Sequence, residues 1–162
     1  MLKRHYFSDF LWKIACNAVY TRELALKVLF PKGLCFEDNY SAGMYLFYSS
    51  KVMVIDKVLY NYRVNLSGIS KSGNKRPLDI AVVTKKLIVD LVICGFNDNV
   101  FMNKLYEKLA CEIFHFIRAG KDKRFKIIKV DNSLYKWLCK NLNLRRRLYL
   151  KFLLLRYGIR VE

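Results

Sequence analysis

Apolar residues recur along this chain with two different periods, and the change of period marks its organisation. Phe7, Phe10, Leu11, Ile14 and Ala15 fall on one helical face, which predicts a short helix over residues 6–16. Thr21-Arg22-Glu23-Leu24 places a hydroxyl residue ahead of a helical run. Thr21 is therefore the expected N-cap of a helix that ends before Pro31. A third helix is predicted from Asp38 to Ser50, apolar at Ala42, Tyr45, Leu46 and Tyr48. The period then changes. Lys51-Val52-Met53-Val54-Ile55 and Val58-Leu59-Tyr60-Asn61-Tyr62-Arg63-Val64 are rich in β-branched and aromatic residues. With Asp56-Lys57 between them they read as two strands or a tight hairpin. Residues 65–77 are dense in Asn, Ser, Gly and Pro and read as a loop, with Lys71, Lys75 and Arg76 making it basic.

Beyond Pro77 the pattern is helical throughout. Leu78–Cys94 stops at Gly95, Val100–Ala119 stops at Gly120, and Ser133–Cys139 and Leu144–Tyr157 are shorter. Proline at a helix start and glycine past a helix end are the usual punctuation. The expected fold class is α+β and mostly helical: a short strand pair followed by a helical C-terminal tail. The expected division is residues 1–75 and residues 76–162, with a soft boundary near residue 75.

Hydrophobic residues make up 54% of the 162 residues and aromatics 15%, which excludes a disordered chain and suffices for a packed core. Lys and Arg number 30 against 13 Asp and Glu, a formal net charge of +17. The part after residue 100 is the more basic per residue. A field of that sign attracts phosphates, whether on nucleotides, nucleic acid or anionic lipid. The five cysteines (Cys16, Cys35, Cys94, Cys111, Cys139) include no pair at C-x-x-C spacing, which disfavours a zinc site and points to reduced thiols in a cytoplasm. No apolar run has signal-peptide or membrane-spanning length.

The chemistry-bearing stretch is Phe30-Pro31-Lys32-Gly33-Leu34-Cys35-Phe36-Glu37-Asp38-Asn39-Tyr40. Two adjacent carboxylates open a helix after a Pro and a Gly. Any helix start accommodates acids, because its first N–H groups lack partners and its dipole favours negative charge. The same N–H groups can hold a catalytic carboxylate ionised.

What surrounds these acids decides between the two. The ordered segments Cys16-Asn17-Ala18-Val19-Tyr20-Thr21-Arg22-Glu23-Leu24, Phe30–Asn39, Lys51–Val64 and Gly68-Ile69-Ser70 resemble the acceptor-side half of an inverting family 2 glycosyltransferase of the GT-A fold. Members of that family carry a W-x-K-x-Y-R-R-E-L-L helix, an F-P-E-G-x-x-x-E-D turn and a Y-x-Y-R…S-I-S strand and loop. The resemblance covers about a third of the chain and does not extend over residues 71–162. It implies transfer of a sugar from a nucleotide-sugar to an acceptor hydroxyl, a glycan or a lipid-linked acceptor, in cell-surface polysaccharide or glycolipid synthesis. It implies Asp38 as the base that deprotonates the acceptor, with Glu37 orienting it or binding the acceptor. It further implies substrate contacts from Asn17, Arg63 and Ser70, and the adjoining basic Lys71 is a further candidate for substrate binding. The departures are equally specific. Asn17-Ala18 replaces the family's basic position. No Asp-x-Asp motif, the pair that holds a divalent cation (Mg or Mn) against the donor diphosphate, occurs in the sequence. The expectation is thus a fragment or split subunit lacking the nucleotide-sugar-binding half, which would sit on a separate chain. It binds no cofactor itself and is catalytically poor alone.

The remaining candidates are plainer. Arg63 could clamp phosphate or simply end a strand, and Lys71, Lys75 and Arg76 could close over a donor or stay solvated. His5 and His115 lack partners at metal spacing, and His115 between Phe114 and Phe116 reads as packed. Trp12, Trp137 and the tyrosines read mostly as core. Lys140, Arg145, Arg146, Arg147, Lys151, Arg156 and Arg160 interleave with Leu148, Tyr149, Phe152, Leu153 and Leu155, with no acid among them. This is a basic amphipathic helix suited to an anionic membrane face or to docking on its own domain. It also supports a rival reading of the whole chain as a basic binding module without catalysis. Nucleic acid is disfavoured as the partner, because no recognised motif is present and the tail is too apolar. The expected location is cytoplasmic, at the inner face of the membrane.

Overall fold

The computed structural model of the protein describes residues 6–7, 14–61, 63, 65, 68, 78–119, 132–141 and 144–157. Those residues form a single 3-10 turn at Ala15–Asn17 and six α-helices: α1 (Arg22–Lys27), α2 (Glu37–Tyr48), α3 (Leu78–Ile93), α4 (Asn99–Ala119), α5 (Asn132–Asn141) and α6 (Leu144–Tyr157). The chain separates into two compact units, Met1–Phe96 and Asn97–Glu162. The expected boundary near residue 75 lies outside the described residues, as does most of the short helix expected over 6–16.

In the first unit the core forms where α2 lies along α3. Every residue of α2 from Asn39 to Leu46 is buried, the pattern of a helix covered on all sides. Tyr6, Val28, Ala81, Val83, Leu87, Ile88 and Leu91 complete the packing. Gly43 sets the approach of the two helices: a Cβ there would stand 2.7 Å from Leu87 Cδ2 and 3.2 Å from Tyr6 Cε2. Thr21 caps α1, its Oγ1 accepting from the Leu24 N–H at 3.3 Å. Residue Gly95 (φ 77°) ends α3 in a Schellman turn, with the Phe96 N–H donating to the Leu91 carbonyl at 2.9 Å and the Gly95 N–H to Val92 at 3.0 Å.

The second unit is built on α4, which buries Phe101, Met102, Leu105, Leu109, Ala110 and Ile113 at helical spacing. Asp98 caps it by accepting from the Phe101 N–H at 2.9 Å. Both α5 and α6 pack against α4, and α6 contributes the buried Leu150 and Leu154.

The expected fold class needs correction. Among the described residues there is no strand, so neither the short strand pair nor a GT-A α/β core is present, and the protein is mostly helical. Residues 51–61 run without regular secondary structure, and Met53, Val54, Ile55, Val58 and Leu59 are exposed. The physical reason lies in the turn. A two-residue hairpin requires positive φ in its turn, which favours Asn-Gly or Asp-Gly. Asp56-Lys57 lacks that chemistry, and Phe36 is the sole non-glycine with positive φ among the described residues. β-propensity without a pairing edge does not make a strand.

Candidate functional site

The loop ahead of α2 is held at three points. Gly33 adopts φ 74° in open space, which lets the chain reverse after Pro31. The Cys35 N–H donates to Asp79 Oδ2 at 2.8 Å, so a buried carboxylate on α3 anchors the loop from 44 residues away in sequence. Phe36 then takes a left-handed conformation (φ 65°, ψ 22°) as the residue preceding the helix, a state that costs a non-glycine residue about 1–2 kcal/mol. The Asn39 N–H donates to the Phe36 carbonyl at 3.0 Å and closes the first turn.

This geometry sets Glu37 and Asp38, both partly exposed, in the first turn of α2. The Asn39 side-chain amide donates to Asp38 Oδ1 at 3.1 Å and fixes its orientation. Burial is the largest influence on Asp38 and raises its pKa above the ordinary value of 3.8, and the neighbouring Glu37 charge raises it further. Hydrogen bonds from the Asn39 side chain and from the backbone N–H groups of Asn39 and Asp38 pull it down, without reversing the direction. The N–H groups of the helix start thus lower the Asp38 pKa without cancelling the rise that burial and Glu37 impose. Desolvation outweighs the N–H groups.

Tyr20 faces the same region. Its hydroxyl pKa is raised by burial first, then by Tyr45, Asp38 and Cys16, and its ring lies 4.2 Å from that of Tyr45. The Ala15–Asn17 turn packs against α2, which brings exposed Asn17 to the helix that carries Asp38. Arg63 is exposed in irregular chain. Ser70, Lys71, Lys75 and Arg76 lie outside the described residues. Among the sequence-predicted contacts, then, Glu37 and Asp38 share one turn and Asn17 sits on an element packed against their helix.

A second polar cluster escaped sequence reasoning. The Tyr40 hydroxyl donates to Asp90 Oδ2 at 2.6 Å, and Lys86 Nζ pairs with the same oxygen at 2.9 Å. Burial and the Asp90 carboxylate together push the Tyr40 hydroxyl far above its usual range. One turn along, the Tyr48 hydroxyl meets Cys94 Sγ at 3.2 Å, and Lys27 Nζ sits 3.8 Å from the Tyr48 ring centre. Lys27, Tyr40, Tyr48, Asp90 and Cys94, with Val28, Met44 and Ile93, line an open cleft of about 180 Å³ that Asp38 does not reach. The signal was present as two stripes at helical spacing, Tyr40/Met44/Tyr48 on α2 and Lys86/Asp90 on α3 with Cys94 just past its end. That the stripes face one another is a tertiary fact.

Among the described residues no group of three or more His, Cys, Asp or Glu side chains could hold a metal ion, and no helix is long and apolar enough to cross a membrane. Comparison with known protein families, with curated proteins and with solved structures finds no match to this chain.

Proposed function

We propose that this chain serves the acceptor side of a sugar transfer, in which Asp38 takes the proton from an acceptor hydroxyl as its oxygen attacks the anomeric carbon of a nucleotide-sugar. The diphosphate leaves from the opposite face, and the configuration inverts. One base on the attacking side satisfies this chemistry, with no second carboxylate as nucleophile. The acceptors are glycan or lipid-linked hydroxyls of cell-surface polysaccharide or glycolipid synthesis, met at the cytoplasmic face of a membrane.

The reading rests on the ordered sequence motifs and on one observation above others: a half-buried Asp38 with a raised pKa, placed behind a left-handed Phe36. A base works best when its pKa approaches the working pH, and burial moves Asp38 that way. Backbone outliers also cluster where geometry serves function. Asn39 aims the carboxylate, Glu37 keeps the local charge high, and Tyr20 offers an aromatic wall of the kind on which sugars stack. Arg63, Ser70 and Lys71 remain the proposed diphosphate contacts. Donor binding falls to a segment beyond these residues or to a separate chain, where a divalent cation would neutralise charge on the leaving diphosphate.

The test is sugar transfer in the assembly that includes the donor-binding element, comparing wild type with Asp38→Asn. The substitution preserves shape and the acceptor for Asn39. Transfer should fall by roughly 10²–10⁴-fold while acceptor binding, followed by NMR, persists. Undiminished transfer ends the assignment.

A further inference from the structure

Helix α6 is docked on its own unit through one face and still presents an apolar face outward. Leu150 and Leu154 are buried. Leu144 is 70% exposed, Leu148 58%, Phe152 52% and Leu155 83%. At 100° per residue from Leu144, Leu155, Leu148 and Phe152 lie at about 20°, 40° and 80°. Leu150 and Leu154 lie at about 240° and 280°, on the other side of the helix. Exposed Arg145 and Lys151 fall at about 100° and 340°, one at each edge of the outward stripe. From Lys140 to Arg160 the sequence contains no acid.

We propose that this stripe inserts at the headgroup–acyl boundary of an anionic membrane, with Arg145 and Lys151 on the lipid phosphates. Charge selects the occupant. A second copy would bring the same acid-free basic helix against itself and repel it. Nucleic acid would use the arginines but leave Leu148, Phe152 and Leu155 in water. An anionic bilayer takes both features at once, since its phosphates meet the cations and its acyl region takes the apolar side chains. The helix spans Leu144–Tyr157, about 21 Å at 1.5 Å per residue, and lies in the membrane plane rather than across it. The inference stands on the second unit alone and does not depend on the role of Asp38.

Vesicle flotation of the whole chain tests it, with phosphatidylcholine alone and with phosphatidylcholine–phosphatidylglycerol 3:1, at low and high salt. Wild type should float with the anionic vesicles and not with the neutral ones, and high salt should weaken the binding. Arg145→Gln/Lys151→Gln should weaken it roughly fivefold per charge and flatten its salt dependence. Leu148→Ser/Leu155→Ser should weaken it at least about tenfold, with circular dichroism and melting unchanged because both side chains are exposed. Flotation unaffected by the apolar substitutions overturns the proposal, as does no flotation of the wild type at low salt. So does a vesicle-free dimer that Leu155→Ser dissolves, which would assign the stripe to a second copy.

Discussion

At Asp38 two effects oppose each other. The helix start favours the ionised carboxylate, while burial and Glu37 favour the protonated one, and the second pair prevails. A carboxyl whose pKa rises on folding binds its proton more tightly in the native state. Between the unfolded value near 3.8 and the higher native value, stability therefore falls as pH rises. Asn cannot ionise, so Asp38→Asn removes that loss. The variant should melt higher than wild type at neutral pH, and the difference should vanish as pH drops below 3.8, as read by thermal unfolding across a pH series. A difference of opposite sign would show that the helix dipole dominates after all. The acids themselves were legible in the sequence as a helix start. Their balance was not, because its largest contribution is how deeply the fold buries Asp38, which no local pattern encodes.

At the scale of elements, the helices were readable because their signals are local. Thr21 ahead of Arg22-Glu23, Gly95 after Ile93 and the apolar period of α4 each act within a turn or two of chain. The strand pair was misread for the complementary reason. A strand exists only against a partner, and Val52–Ile55 with Val58–Tyr60 satisfy propensity without supplying the turn that would pair them. The facing of α2 and α3 was equally invisible. It depends on Gly43, whose missing side chain admits Leu87, and it creates the Tyr40–Asp90 bond. Gly43→Val fills that gap against the fully buried Leu87 and Tyr6. It should destabilise the first unit by about 1–3 kcal/mol in denaturant unfolding, despite the better helix propensity of valine. An unchanged midpoint would mean that the helices are not in close contact there.

Across the whole molecule the two units divide the proposed labour. Met1–Phe96 carries the carboxylate turn, and Asn97–Glu162 carries the outward basic stripe. The net charge of +17 was visible from composition, and a field of that sign attracts anions. That charge also sharpens the question at Asp38. A positive molecule favours ionised carboxylates, so a raised pKa there means that local burial overcomes the field of the entire chain. The most direct measurement is a carbon-13 NMR titration of the Asp38 carboxyl in the intact protein, with Glu37→Gln alongside. A midpoint clearly above 3.8 that moves down when Glu37 is neutralised is the predicted result. A midpoint at or below 3.8, indifferent to Glu37, would contradict the account of Asp38 as a poised base.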